Sequence, residues 1–237
     1  MKRAIAIAMG ILGYAYLRLC FVTSRYIVTS AAEAVLRRTW DVAIPTVFAC
    51  WHDQFLISPL SLQCRRFPKP LFVTNDSFGG VFLQTICRLL ASPFVVIGLA
   101  QSRETRLDSL TLGLARYRRM TIAADYGDPW YRARSSARIL AERTGGCVVA
   151  MRLEPRRKWR LRVGAGHAYL PLPFSAYAIS LGEPRVAADF RLEADLNELE
   201  ATNFFSEARA SSRVEPADAF ARDVSATAGA SPRQARS

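Results

Sequence analysis

The chain of 237 residues holds only two histidines, His52 and His167. His52 ends an apolar run: Thr46-Val47-Phe48-Ala49-Cys50 leads into Trp51-His52-Asp53, after which apolar character resumes. An imidazole exchanges a proton near neutral pH, so His52 is a candidate general base. A base needs an orienting partner, and a carboxylate accepting from the ring N–H can serve. Asp53 is adjacent, and neighbouring side chains diverge as a chain leaves a strand. Asp76 and Asp125 follow later apolar runs, and spacing alone does not choose between them.

Other polar groups follow the same pattern. Asn75, Asp76, Ser77 and Gly79-Gly80 come after Leu71–Thr74, and Gly98, Gln101, Ser102 and Arg103 come after Phe94–Ile97. Asp125, Tyr126, Gly127, Asp128, Arg132 and Arg134 come after Met120–Ala124. Two glycines ahead of a helix leave backbone N–H groups open to an anion or oxyanion, and an ordinary turn accounts for the pair equally well. The sequence contains neither G-x-x-x-x-G-K-[ST] nor G-x-S-x-G, so neither P-loop chemistry nor the usual serine-hydrolase elbow is supported. The five cysteines (Cys20, Cys50, Cys64, Cys87 and Cys147) lack C-x-x-C spacing, and most sit in apolar runs. They read as buried reduced thiols, which points to a cytoplasmic main domain, with no metal or bound redox cofactor expected.

Side chains from several runs meet only if the runs are strands of one sheet. Expected strands are 46–50, 71–74, 94–97, 120–124, 147–152, 161–163 and 177–181. Expected helices lie near 54–62, 81–90, 107–118, 135–143 and 192–210. Strand-then-helix alternation argues for an α/β fold with a mostly parallel central sheet flanked by helices. Open sheets of this kind bind ligands at the carboxyl ends of their strands, where the polar groups above are found.

The formal charge is +12, with 29 arginines and three lysines. Residues 1–100 carry +6, residues 101–170 carry +9, and residues 171–237 carry −3. The basic excess suits phosphates, anionic lipid or an acidic carrier protein. Ala4 to Leu17 holds no charge, and Arg18 and Arg25 follow. That run is short of a full bilayer span and reads as an interfacial or re-entrant helix with snorkelling arginines. Residues 156–162 (Arg-Arg-Lys-Trp-Arg-Leu-Arg) have the composition of a nucleic-acid patch. Alternation places Trp159, Leu161 and Val163 on one face, which favours a basic hairpin facing solvent or lipid headgroups, with no nucleic-acid partner. The expected organisation is residues 1–30 as a membrane-associated helix, 31–210 as the α/β domain and 211–237 as a disordered tail.

The ordered set of these residues resembles the lysophospholipid acyltransferase superfamily, in particular a bacterial branch related to lipid A acyltransferases. The likeness runs from Ile44 to Asn203. It includes the strand ending in Trp51-His52, the Ala124-Asp125-Tyr126-Gly127-Asp128-Pro129 loop with Arg132 after it, and Ile139 to Gly146 leading into Val148-Val149. It also includes Leu170-Pro171-Leu172-Pro173-Phe174-Ser175 and Gly182-Glu183-Pro184. The chain departs from the superfamily at Ile57, where an aspartate usually follows the histidine by five positions. It departs again at Thr74 to Gly79, where the acid is displaced, and at Arg103, which only loosely matches the expected phosphate-binding arginine.

The resemblance implies a glycerolipid acyltransferase-like fold at the cytoplasmic membrane face. It implies transfer of a fatty acyl group from acyl-carrier protein or acyl-CoA to a hydroxyl of a lysophospholipid or glycolipid. His52 would be the base, with Asp76 or Asp125 as its acid. Asn75, Ser77, Gly79, Arg103 and Arg132 would contact substrate, and an anionic membrane lipid would be the partner. The alternative is a non-catalytic, membrane-peripheral lipid-binding protein on the same fold.

Overall fold

A computed structural model describes residues 1–41, 44–54, 57–58, 69–125, 131–163 and 166–201. At its centre is β2 (Thr46–Cys50), every residue of which is buried. Such a strand must be covered on both faces, and its alternating side chains face two separate cores. Val47, Ala49 and Trp51 pack with Leu71, Leu110, Leu140 and Leu192 on one side. Phe48 and Cys50 pack with Val35, Leu83, Cys87 and Met151 on the other.

The remaining strands of the main sheet are β1 (Arg25–Val28), β3 (Leu71–Asn75), β4 (Phe94–Ile97), β5 (Arg119–Ala123), β6 (Cys147–Pro155), β9 (Ala176–Leu181) and β10 (Arg185–Val186). Their order is β1-β9-β6-β2-β5-β3-β4, with β10 paired to β6. The pairs β6–β2, β2–β5, β5–β3 and β3–β4 are parallel, as is β1–β9, while β9 and β10 run antiparallel to β6. The sheet is therefore mixed and mostly parallel. A separate antiparallel hairpin joins β7 (Lys158–Val163) to β8 (Gly166–Pro171).

Helices α2 (Ser30–Asp41) and α3 (Phe78–Leu89) cover one face of the sheet. Helices α4 (Arg103–Tyr117), α5 (Ser136–Thr144) and α6 (Leu192–Ala201) cover the other. The apolar helix α1 (Lys2–Thr23) lies against α3, with Leu17 and Phe21 meeting Ile86 and Leu90. Local chemistry marks the helix ends. The Ser77 and Ser102 side chains accept the N–H groups of Gly80 and Thr105 and start α3 and α4. Gly145, at φ 60°, ends α5 in the left-handed conformation that glycine adopts without strain.

Each expected strand forms, two of them (46–50 and 94–97) at the expected bounds. Strands β1, β8 and β10 and helix α2 were not anticipated. Residues 25–28, expected to belong to the N-terminal segment, pair with β9 and so lie in the sheet. The expected helix 54–62 falls mostly outside the described residues, as do the end of the 192–210 helix and the tail 211–237.

Candidate active site

Because β2, β5, β3 and β4 are mutually parallel, their carboxyl ends emerge on one edge, and the expected gathering of polar groups there takes place. The strand order decides which groups are neighbours. Strand β5 lies beside β2, whereas β3 is separated from β2 by β5. Strands are spaced by about 4.8 Å, so the end of β3 lies roughly 10 Å from that of β2.

After Cys50 the chain turns into a single 3₁₀ turn, His52–Gln54. The His52 backbone N–H donates to Asp125 Oδ1 at 2.8 Å. Asp125 is 1 % exposed, and its other oxygen accepts the Tyr131 backbone N–H at 2.9 Å. One buried carboxylate thus fixes both the turn bearing His52 and the return of the chain at Tyr131. Tyr131 also reaches back across the site. Its hydroxyl donates to Asp53 Oδ2 at 2.8 Å, and its ring meets Trp51 edge-on at 5.6 Å between centroids. Burial and the Asp53 carboxylate push the Tyr131 pKa far above the ordinary phenol value. Gln54 completes the brace by accepting the Leu153 N–H through Oε1 at 3.0 Å.

His52 is half-buried. Burial lowers its pKa below the ordinary imidazole value, and the nearby negative charge of Asp125 works in the opposite direction. The balance favours a neutral ring at physiological pH, the form able to accept a proton.

The other expected residues have other occupations. Asp76 is exposed, and its Oδ1 accepts the Leu99 N–H at 3.0 Å, tying the end of β3 to the loop after β4. Between the two acids, Asp125 is the one beside His52. Asn75 Oδ1 accepts from the N–H of Ser77 at 3.0 Å and from its hydroxyl at 2.5 Å. Ser77 Oγ accepts the Gly80 N–H at 3.1 Å, and Gln84 Nε2 donates to the Asn75 carbonyl at 2.8 Å. Asn75 and Ser77 therefore build the start of α3. Gly79 is exposed at that start, with 3.9 Å between a hypothetical Cβ and the nearest atom. Arg103 is exposed at the start of α4 and donates to Ser135 Oγ at 3.3 Å. Arg132 is exposed next to Tyr131. Tyr126, Gly127, Asp128 and Pro129 lie outside the described residues.

A scan against protein-family models finds no match for this chain. A search of curated proteins finds no similar one.

Tyr131 and Gln54 are site residues that the sequence does not single out, and Asp53, set aside there as a partner for the His52 ring, accepts the Tyr131 hydroxyl. Tyr131 stands in an aromatic pair, Trp130-Tyr131, six residues beyond Asp125, and no spacing rule connects it to the end of β2. At Ile57 the chain is 1 % exposed, and this residue packs with Cys20 and Tyr177 in an apolar cluster. Cys20, Cys50, Cys87 and Cys147 are buried free thiols, as expected, and Cys64 lies outside the described residues. Among the described residues no cluster of three or more His, Cys, Asp or Glu side chains could hold a metal ion. An open hollow of about 530 Å³, lined by Ala133, Phe190, Arg191 and Glu193, includes none of the expected site residues.

Proposed function

We propose that the chain is a membrane-associated acyltransferase that moves a fatty acyl group from a thioester to a lipid hydroxyl. The observation that carries this reading is the site around His52. A half-buried imidazole, biased toward its neutral form, sits at the carboxyl end of the central strand with its backbone held by a buried carboxylate. Such an imidazole suits a general base. The acyltransferase-like identity of the fold rests on the sequence resemblance, and the mostly parallel α/β sheet is compatible with it.

In the reaction, His52 takes the proton of the acceptor hydroxyl as its oxygen attacks the thioester carbonyl. Backbone N–H groups stabilise the oxyanion of the tetrahedral intermediate. When that intermediate collapses, the carbon–sulfur bond breaks and the imidazolium returns its proton to the departing thiolate. Asp125 serves as a positioning residue, because the His52 main chain hangs from it. Both acyl-carrier protein and acyl-CoA are anionic donors, which fits the basic excess of residues 101–170.

The test uses purified full-length chain, a radiolabelled acyl thioester of each donor class and a bacterial lipid extract. The expected result is a labelled lipid that disappears with His52→Ala while lipid binding persists. Lipid binding without acyl transfer by the unaltered chain would favour a non-catalytic lipid-binding role and refute the proposal.

A further inference from the structure

Helix α1 has 22 residues and a mean hydropathy of 1.9 in its most apolar window, of which 28 % is buried. By length it could cross a bilayer, but its packing argues for another placement. Gly10 and Gly13 let it approach α3 closely: a Cβ on Gly10 would fall 2.6 Å from Thr85 Cβ, and one on Gly13 would fall 2.8 Å from Phe82 Cζ. The start of α3 is built into the polar edge of the sheet through Asn75 and Ser77. A helix fastened along α3 cannot stand upright in hydrocarbon without drawing that polar edge in with it. Ile5, Met9, Leu12 and Leu19 recur at helical spacing on the outward side, each more than 45 % exposed.

The β7–β8 hairpin adjoins that side. Tyr16 Oη and Cys20 Sγ both donate to the Pro171 carbonyl, at 2.7 and 3.5 Å. The register pairs Trp159 with Leu170, Leu161 with Ala168 and Arg160 with Tyr169. Tyr169 faces inward, against the cluster of Cys20, Ile57 and Tyr177. Alternation therefore turns Trp159 and Leu161 outward, and they are 58 % and 41 % exposed. Phe174, 73 % exposed, is tied to the end of α1 by its N–H on Thr23 Oγ1 at 3.1 Å. Its φ is 54°, a backbone conformation that L side chains disfavour, yet a bulky aromatic occupies it. Three exposed arginines flank this residue through the segment that follows it. Arg25 N–H bonds the Ser175 carbonyl, Arg156 N–H bonds the Ala176 carbonyl, and Arg157 N–H bonds Ser175 Oγ.

We infer that the outward side of α1, the Trp159 face of the hairpin and Phe174 form one docking surface for an anionic phospholipid bilayer. The aromatic side chains enter the headgroup boundary, Arg25, Arg156 and Arg157 meet phosphates, and α1 lies in the plane of the membrane. Aromatic side chains that are apolar but tolerate a wet edge, ringed by arginine, suit an interface of this chemistry. The inference deepens the membrane part of the reading above and is independent of the chemistry at His52.

The test is flotation of the full-length chain with vesicles of phosphatidylcholine alone or mixed with phosphatidylglycerol, together with quenching of tryptophan emission by brominated lipid. The unaltered chain should float preferentially with the mixed vesicles and be quenched. Trp159→Ser should remove most of that quenching, and together with Phe174→Ser it should weaken binding by about tenfold or more. Trp159→Phe should float like the unaltered chain. Arg156→Gln with Arg157→Gln should abolish the preference for the anionic vesicles. Equal quenching of the unaltered chain and Trp159→Ser would overturn the inference, since α1 would then be inserted with the hairpin left in water. Self-association through this face with no vesicle binding would overturn it as well. His52→Ala should float normally, so a failure of acyl transfer and a failure of docking are separate results.

Discussion

Asp125→Asn removes one formal charge and almost no volume, so it isolates what the buried carboxylate does. In the native chain its two oxygens accept backbone N–H groups from opposite sides of the site, His52 at 2.8 Å and Tyr131 at 2.9 Å. A carboxamide can accept only one of them, because its NH₂ must face the other N–H. Hydrogen bonds to a charged group contribute about 1.5–3 kcal/mol each, so Asp125→Asn should cost about that much and Asp125→Ala roughly twice as much. The assay is urea unfolding of the full-length chain in mild non-ionic detergent, at about pH 8, where His52 is neutral. The Asp125 charge also works to raise the His52 pKa. Its loss should therefore move the titration of His52 to lower pH, which a purely structural role would not require. Asp125→Asn within about 0.5 kcal/mol of the unaltered chain would refute the clamp, because that is the range of an uninvolved surface position. Equal costs for Asn and Ala would refute the two-sided geometry.

His52 itself gives a stability signature. Its folded-state pKa is lowered, so between that value and the ordinary one of about 6.5 the unfolded chain binds more protons than the folded chain, and stability rises with pH. The contribution is complete above about pH 6.5 and is lost as pH falls through the folded-state value. Unfolding measured from about pH 8 down to about pH 5 should show His52→Gln losing less stability than the unaltered chain, and parallel slopes would count against it. The two glycines that start α3 should respond oppositely to alanine. At Gly80 the new Cβ would fall 2.0 Å from the Asn75 carbonyl oxygen, so Gly80→Ala should cost about 1–3 kcal/mol or prevent folding. At Gly79 the nearest atom is 3.9 Å away, so Gly79→Ala should change thermal stability by less than about 1 kcal/mol, in the stabilising direction if at all.

Some features of this fold can be read locally and others cannot. Strand β2 is legible because a strand buried on both faces is a short apolar run, and the residues just past it are polar whatever their partners are. Helix α2 was legible but went unread: Ala32, Val35, Leu36 and Thr39 recur at steps of three and four and are the residues it buries. Strand β1 was hidden by α1, since one residue, Ser24, separates two apolar segments of opposite period. The choice between Asp76 and Asp125 was not legible at all. It depends on β5 lying between β2 and β3, which is a property of strand order. Two aspartates in equivalent local settings end up one strand and two strands away from the same histidine.

Ile57 shows how the same topology bears on the proposed chemistry. In the superfamily that the sequence resembles, the orienting acid follows the histidine within the same segment. Here that position packs among Cys20 and Tyr177, and an unpaired carboxylate buried there would cost several kcal/mol. A carboxylate from the adjacent strand end, Asp125, instead holds the His52 main-chain N–H at 2.8 Å. An acid used in this way limits where the imidazole can go, because it fixes the main chain that carries the ring. The ring's basicity is then set by the opposition between burial and a neighbouring negative charge. Under the acyl-transfer reading, one aspartate both holds the base and helps tune it, from a strand end beside the histidine's own strand. Asp125 holds the turn and supplies the charge, and the partial burial of His52 supplies the bias toward the neutral form that a base requires.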